Sequence, residues 1–420
     1  MTLKHSIRRA MCPAVFTAMA VAAMPAAATE GYFALGYSPG QRGLAGAGVA
    51  RGFEAMSVAV NPAGVAGVGT QMQLGLQLFM PFRGYERTGT VFPTGTVDSD
   101  ENLFFVPNFA FNRSLSDGGV LNFAVYGNGG MNTTYRPVVG GCGSTFCGGQ
   151  AGVDLMQMFI SATYANKVGN VSFGLSPTLA IQRFEATGLG AFTGFSIDPA
   201  NVTDNGYDMS YGIGVRAGIE VDVTPTLSFG LSGQTKINMS EFSKYAGLFA
   251  GGGDFDIPAT VTAGLAWQAT PDLTLMADYQ RIFYSGVAAV SNPFPNGFSL
   301  LGAPTGPGFG WDDVDVFKIA AEWRASDRMT WRAGYAYATN PVGSDDVTLN
   351  ILAPGIVEHH ISAGGTYSLN GRDSLDFSVG YVLPHKVSGP EVTPFGVTPG
   401  SNVELNMNQV SVSVGWTRSF

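Results

Sequence analysis

Hydrophobic and polar residues alternate with a period of two along unusually long stretches of this 420-residue chain. In the last stretch, Val410, Val412 and Val414 alternate with Ser411 and Ser413. Strict alternation places one set of side chains on each face of a strand. The runs are longer than most globular strands, and tilted strands that cross a bilayer need about 9–11 residues. The pattern therefore favours membrane-crossing strands over a soluble sandwich.

Alternating runs recur along most of the chain, and fourteen can be counted. They lie at 70–84, 102–116, 118–131, 155–167, 170–185, 206–223, 225–242, 255–269, 272–287, 312–325, 328–339, 356–369, 373–387 and 404–420. Short connections such as 223–225 alternate with long ones such as 287–312, as in barrels with periplasmic turns and extracellular loops. An even strand count also suits a bacterial outer-membrane barrel. We therefore predict an all-β membrane fold, a 14-stranded antiparallel transmembrane β-barrel over residues 70–420.

The composition agrees with a surface that meets lipid. Only 13 % of the residues are Asp, Glu, Lys or Arg, whereas an ordinary soluble domain carries about 25 %. The net charge of −9 argues against a nucleic-acid partner. The mature chain contains no run of about 18 apolar residues, so no transmembrane helix is predicted.

The N-terminus has the features of a secretory signal peptide. Lys4, Arg8 and Arg9 precede an apolar stretch at 14–24, and small residues follow at 26–28. Such an arrangement is removed on export and is too short for a spanning helix. We expect a signal peptide at residues 1–28.

Cys142 and Cys147 stand close together in the exported part of the chain. A close cysteine pair in an exported protein usually forms a disulfide. A metal site would need further ligands at matching spacing, but His359, His360 and His385 lie far away in the sequence. We predict a disulfide between the two cysteines, with no metal site and no cofactor.

Residues 29–69 do not show the strand pattern. They are rich in Gly and Ala and contain the triplet Asn61-Pro62-Ala63. Asn and Pro favour a turn for separate reasons, since Asn bonds nearby backbone groups and Pro fixes its own φ. A barrel of fourteen strands is also wider than the eight-stranded size that side chains can fill. We predict that this segment is a small helical hatch that plugs the barrel.

The plug with Asn61-Pro62-Ala63, the fourteen strands and the terminal Phe420 resemble the FadL-type outer-membrane transporters, which take up long-chain fatty acids or toluene and xylene. The stretches 257–282, 310–337 and 354–381 also resemble that family. The resemblance implies a monomeric channel in the outer membrane of a Gram-negative bacterium. It would let hydrophobic molecules diffuse passively through the lumen and leave by a lateral opening in the barrel wall. It also implies that Asn61, Pro62 and Ala63 seat the hatch.

The family's lateral opening lies at a kink in the third strand, which the resemblance places at one stretch of this chain. That stretch is Tyr126, Gly127, Asn128, Gly129 and Gly130. Clustered glycines weaken a strand and often mark a bulge, whereas the alternative is ordinary strand glycine near a loop. We expect the hatch residues Gly31, Tyr32 and Phe33 to lie beside this kink.

Candidate ligand contacts come from three parts of the chain. The hatch supplies Gly31, Tyr32, Phe33 and Leu35, the extracellular loops supply Leu189, Phe192, Phe195, Leu248 and Phe249, and the lumen supplies Arg216 and Lys318. The alternation along each strand places the side chains of both basic residues on the inner face of the barrel. The opposite placement is disfavoured, since Arg or Lys facing lipid at mid-bilayer would cost about 2–4 kcal/mol. The same parity turns Asp278, Glu322, Arg332 and Lys236 inward. The loop residues could instead pack only against each other, and the basic residues could pair with acids or hold the hatch.

Two other functional classes remain open. An outer-membrane enzyme would need a nucleophile beside a positioned base, but no G-x-S-x-G motif stands near the three histidines of the mature chain. A structural or adhesive barrel is the main alternative, although it would not need a hatch. The expected partners are hydrophobic small molecules, outer-membrane lipid and lipopolysaccharide, and the barrel-assembly machinery that reads an aromatic C-terminus such as Phe420.

Overall fold

The computed structural model describes residues 30–137 and 142–420, so the predicted signal peptide lies outside the described residues. Fourteen antiparallel strands form a closed ring, which confirms the predicted barrel. We number them β1 Gln71–Thr88, β2 Phe104–Ser114, β3 Val120–Tyr135, β4 Ala151–Val168, β5 Val171–Thr187, β6 Asp208–Thr224, β7 Leu227–Gln234, β8 Thr260–Thr270, β9 Leu273–Ile282, β10 Val314–Arg324, β11 Met329–Ala338, β12 His359–Ser368, β13 Asp373–Gly389 and β14 Asn402–Ser419. The ring closes where β14 pairs with β1, from Gln71↔Ser419 to Thr88↔Asn402.

Short elements decorate the barrel. The strand Gly95–Asp98 pairs with the end of β1, and Val392–Thr393 pairs with Gly396–Val397 in a loop. The α-helical turns are Pro39–Gly43, Ala250–Gly253, Ala288–Ser291 and Val347–Asn350. The 3₁₀ turns are Ala55–Ala59, Pro62–Val65, Gly190–Phe195, Pro199–Asn201, Ser243–Tyr245, Tyr284–Gly286 and Ser344–Asp346. Within the described ranges, no helix has the length and apolar character needed to cross a membrane.

The two faces of the barrel wall differ in chemistry, as the alternation predicted. Apolar side chains such as Ile213, Ile319 and Val414 are exposed on the outside. Charged side chains on the opposite parity are buried in the lumen, namely Arg216, Asp278, Lys318, Glu322 and Arg332. This arrangement keeps charge away from lipid, where it is costly.

The run at 225–242 was predicted to be one strand, but β7 ends at Gln234. Beyond that point the chain still runs beside β6, because the Thr235 N–H donates to the Val215 carbonyl at 3.0 Å and Met239 bridges to Gly212, while Ile237 also bridges to Ile257 of a loop. Ile237 is fully buried and Lys236 is exposed, so the inward placement predicted for Lys236 is wrong. Its side chain is solvent-accessible and forms an ion pair with Asp256 at 2.7 Å.

Residues 30–69 fill the lumen as a compact hatch of short turns. Ser38 caps the helix Pro39–Gly43 by accepting a hydrogen bond from the Gln41 N–H at 3.1 Å. The inner wall binds the hatch backbone through polar side chains: Gln71 accepts from the Ala55 N–H at 2.7 Å. Because a barrel lumen is lined by polar side chains, the exposed N–H groups of short turns find acceptors there.

Candidate functional site

The Asn61-Pro62-Ala63 turn contacts the wall at β6. The Asn61 amide nitrogen donates to the carbonyl oxygens of Val49 at 2.7 Å and Ile219 at 3.0 Å. Its side-chain oxygen accepts from the Ala63 N–H at 3.0 Å, which caps the turn. Gly218 lets the amide approach this closely, since a Cβ there would lie 1.9 Å from the Asn61 oxygen. This geometry suits the seating role expected for the triplet.

The third strand is irregular at the predicted glycine stretch. The pairing between β3 and β4 shifts register at Gly127 and Gly129, which is a β-bulge. The extra residue Asn128 is fully buried and donates to the Gln157 side chain at 3.0 Å, so it turns inward, away from lipid. On the other side, the pairing with β2 runs from Ser114↔Val120 only as far as Asn108↔Tyr126.

The ladder between β2 and β3 therefore stops where the bulge begins. Along Gly127–Thr133, β3 has β4 as a neighbour but no partner on the β2 side, although β2 itself continues to Phe104 beside β1. The Asp100 N–H donates to the Thr134 carbonyl at 2.9 Å and closes the extracellular end of this interval. We call the interval between the Asn108↔Tyr126 pair and this bond the wall gap.

The N-terminal end of the hatch occupies the wall gap from the inside. The Ala34 N–H donates to the Asn128 carbonyl at 2.9 Å, and the Gly130 N–H donates to the Tyr32 carbonyl at 3.0 Å. Phe33 thus bridges to Gly129 in place of a strand partner. Only glycine fits at 129, because a Cβ there would lie 1.8 Å from the Tyr32 carbonyl oxygen.

Arg83 spans the wall gap on its extracellular side. From β1 its guanidinium donates to the backbone and side-chain oxygens of Asn132 at 2.6 and 2.8 Å. A cavity of about 30 Å³ lies beside it. The lining includes Phe79, Phe104, Met131, Trp311 and Met407. The gap is therefore mostly apolar, with one cation at its edge.

The extracellular loops enclose a second apolar cavity of about 30 Å³, the loop cavity. Four of the predicted loop contacts line it together, namely Leu189, Phe192, Leu248 and Phe249. Phe195 does not, since its ring packs on Phe395 with centroids 5.4 Å apart. Leu35 also lies elsewhere, in a space beside His360 and Gln409.

Aromatic rings connect the loop cavity with the wall gap. Phe249 packs on Phe255 at 4.8 Å between centroids, Phe255 lies 6.1 Å from Tyr32, and Tyr32 lies 5.9 Å from Trp311. Tyr284 packs against Tyr32 and Trp311 and donates its hydroxyl hydrogen to the Glu30 carbonyl at 2.7 Å. Trp311, Tyr284 and Arg83 were not among the predicted site residues, although Arg83 has inward parity on β1.

The two basic lumen residues proposed as ligand contacts are engaged by protein groups. Lys318 forms a buried ion pair with Glu30 of the hatch at 2.8 Å and donates to Gln280 at 2.8 Å. Arg216 donates to the Gln234 side chain at 2.6 Å. Lys318 therefore holds the hatch N-terminus in the structure.

The predicted disulfide between Cys142 and Cys147 is present, with a Cα–Cα distance of 5.1 Å. It closes a small extracellular loop that presents Thr145 and Phe146 to the end of β1. In the described part of the chain, no group of three or more His, Cys, Asp or Glu side chains could hold a metal ion.

A family model described as "Outer membrane protein transport protein (OMPP1/FadL/TodX)" matches residues 18–420. The chain belongs to this family. It is therefore a multi-pass protein of the Gram-negative outer membrane, from a family of hydrophobic-substrate transport channels rather than enzymes. No curated protein matches the chain.

Solved structures show the same fold at low sequence identity. The Pseudomonas putida toluene transporter TodX is 17 % identical with a TM-score of 0.68, over 92 % of this chain and 99 % of that one. A Pseudomonas aeruginosa FadL homologue is 15 % identical with a TM-score of 0.70, over 93 % and 100 %. The Ralstonia pickettii toluene transporter TbuX is 19 % identical with a TM-score of 0.63, over 92 % and 99 %.

Proposed function

We propose that the protein is a passive channel for the uptake of hydrophobic molecules, either long-chain fatty acids or aromatic hydrocarbons. A molecule enters at the loop cavity, passes the aromatic rings of Phe255, Tyr32 and Trp311, and leaves sideways through the wall gap. Burial of apolar surface favours such a path by about 0.8 kcal/mol per methylene. The transport needs only a concentration gradient.

The observation that carries this proposal is the interrupted pairing of β2 and β3. A transmembrane barrel normally pairs every backbone group of its wall, because unpaired groups are costly in lipid. Here the hatch residues Tyr32 and Ala34 satisfy the backbone of β3 at Asn128 and Gly130 instead of β2. A backbone segment that is not part of the wall can move without breaking the barrel ladder, and this is what a lateral exit requires.

The substitution Gly129→Val tests the exit. A Cβ at 129 would lie where the Tyr32 carbonyl now sits, so the valine side chain displaces the hatch segment but itself fills part of the wall gap. We expect uptake of radiolabelled oleate or toluene by cells to fall strongly, with an unchanged amount of folded barrel by heat-modifiable migration.

The matched control is Gly233→Val in β7, where a Cβ would meet nothing closer than the Thr260 carbonyl at 3.6 Å. We expect the control to retain wild-type uptake. Equal uptake by the wild type, both variants and cells without the protein would contradict a transport role and favour the structural or adhesive alternative. Uptake that depends on the protein but not on residue 129 would contradict the lateral exit alone.

A further inference from the structure

Two short segments of the extracellular loops lie between the loop cavity and the cavity at the wall gap. In the segment 309–311, Phe309 lines the loop cavity and Trp311 lines the cavity at the wall gap. In the segment 349–355, Leu352 lines the loop cavity and the next residue, Ala353, lines the cavity at the wall gap. Each segment therefore contributes to both cavities, and we call the two segments together the partition.

Asn350 joins the two segments of the partition. Its side chain is fully buried, its oxygen accepts from the Trp311 indole N–H at 2.6 Å, and its amide donates to the Phe309 carbonyl at 2.6 Å. The same amide donates to the Asp346 carbonyl at 2.8 Å within its own loop. A buried amide is costly when it is left without partners, so these bonds hold the two segments together.

The partition is also bonded to the inner face of β3, at the extracellular end of the wall gap. The Thr133 hydroxyl donates to the Leu352 carbonyl at 2.7 Å, and the Tyr135 hydroxyl donates to the Ile351 carbonyl at 2.8 Å. Both donors are buried and occupy successive inward positions of β3. Movement of the partition therefore acts directly on the strand that borders the wall gap.

The far end of the partition packs against the hatch. A Cβ on Gly355 would lie 2.8 Å from the Trp311 ring and 3.3 Å from the Gly31 carbonyl oxygen, so the two segments and the hatch are in close contact there. The Trp311 ring in turn lies 5.9 Å from that of Tyr32, whose carbonyl binds β3 inside the wall gap. The partition thus contacts the loop cavity, β3 and the hatch end that occupies the wall gap.

We propose that the partition is an inner gate that Asn350 holds closed, and that its bonds to Thr133 and Tyr135 couple its opening to the wall gap. The proposal rests on the proposed function and deepens it, because a molecule in the loop cavity reaches the lateral exit only when the two segments part. Asn350 joins them through side-chain hydrogen bonds, and breaking these leaves the barrel ladder intact. Thr133 and Tyr135 are positioning residues, since they act on the exit through the partition.

A double-mutant cycle read by hydrogen exchange on the full chain in nanodiscs tests the coupling. The reporters are the Gly130 amide, which binds the hatch, and the Asp100 amide, which closes the extracellular end of the wall gap. We expect Asn350→Ala to make exchange at both amides about tenfold faster or more. When Thr133→Val and Tyr135→Phe have removed both hydroxyl donors, adding Asn350→Ala should change this exchange by less than about twofold.

Three further variants complete the cycle. Thr133→Ser keeps a hydroxyl donor, so Asn350→Ala should retain its full effect in that background. Trp311→Phe removes the N–H that Asn350 accepts and repeats the test should Asn350→Ala fail to fold. The matched control is Asn292→Ala, because Asn292 also donates its amide to a loop carbonyl, that of Gly306 at 2.7 Å. The control should leave both reporter amides unchanged.

Unchanged exchange at the reporter amides in folded Asn350→Ala would overturn the proposal. The same increase with and without the two β3 hydroxyls would overturn it as well, because the effect would then reach the wall gap by another route. Exchange is measured without transport. A failure of the proposed function, seen as uptake equal to that of cells without the protein, is therefore distinguished from a failure of the inner gate.

Discussion

The hatch contacts the barrel wall in two different ways. At β6, which is fully paired with β5 from Val171↔Val221 to Phe184↔Asp208, Asn61 binds a wall that is already complete. At β3, the hatch segment Tyr32–Ala34 pairs with a wall that lacks its neighbour. We call the first contact the anchor and the second the seat. If Asn61 separates from β6, the hatch only loses hydrogen bonds. If Tyr32–Ala34 separates from β3, the wall gap opens as well.

The difference shows how one small segment can be both fixed and movable. At the anchor, the Asn61 amide makes one hydrogen bond to the wall at Ile219 and two within the hatch, and Asp278 on β9 adds two wall bonds by accepting from the Gly48 and Val49 N–H groups. The seat uses two backbone bonds and the single ion pair of Glu30 with Lys318. Breaking the two contacts separately is therefore the way to separate their roles.

The largest expected effect is on the seat. Lys318→Met leaves the buried Glu30 carboxylate without its cation, and breaking a buried ion pair costs about 3–5 kcal/mol. We expect the seat to open locally, so that hydrogen exchange at the Ala34 and Gly130 amides becomes about a hundredfold faster or more. The Ala63 amide in the anchor should keep its protection.

Two further variants check this interpretation. Glu30→Gln combined with Lys318→Met removes both charges and should restore part of the protection at Ala34 and Gly130. Lys386→Met breaks an exposed pair with Glu404 and should change nothing at the seat. Equal exchange at the seat in Lys318→Met and the wild type would show that the ion pair does not hold it.

The next largest effect is on the anchor. Asn61→Ala with Pro62→Ala removes the amide bonds to Val49 and Ile219 and the cap on Ala63, and each buried group left unsatisfied costs about 1–3 kcal/mol. We expect the hatch to become sensitive to protease and uptake of hydrophobic substrates to fall, with the barrel still folded.

Asn170→Ala is the matched control for the anchor. Asn170 also donates its amide hydrogen to a backbone oxygen, that of Asp222 at 3.1 Å, but this bond lies at an exposed turn and involves no hatch residue. It should retain both protease resistance and uptake. If the Asn61 variant also retains both protease resistance and uptake, the triplet does not anchor the hatch.

The smallest effect concerns Asp278. Asp278→Asn keeps an oxygen that can accept from the Gly48 and Val49 N–H groups, so it exchanges charged bonds for neutral ones at a cost of about 1 kcal/mol. Asp278→Ala removes the acceptor and should cost more. The measurement is the temperature at which the hatch becomes susceptible to protease, and an identical shift in the two variants would contradict acceptor-based anchoring.

The alternation of side chains was sufficient to predict the barrel and the inward charges other than Lys236, because both follow from the parity of a strand between lipid and lumen. The stretch Gly127–Gly130 was indicated by the family resemblance and by its clustered glycines. The end of β7 at Gln234 could not be predicted, because the residues beyond it continue to alternate and still contact β6 at Gly212, although Ile237 pairs with Ile257 of a loop.

Contacts between segments that are far apart in the chain could not be predicted from the sequence either. The pairing of Lys318 with Glu30 depends on where the hatch N-terminus lies, and parity says only that Lys318 faces inward. The contacts of the buried Arg87 with Thr145 and Phe146 depend on the disulfide loop, which packs against the end of β1. The predicted strand at 70–84 ended before Arg87, so the inward position of that residue was missed.

Photo-labelling of the permeation route tests the lateral exit. A hydrophobic substrate analogue with a diazirine group is allowed to permeate the full chain in vesicles and is then activated, and the labelled residues are mapped by mass spectrometry. We expect labels in the loop cavity at Phe192 and Leu248 and at the wall gap at Phe104 and Met131. Labels that bypass the wall gap and continue to the periplasmic side of the hatch, around Val65 and Gln71, would contradict it.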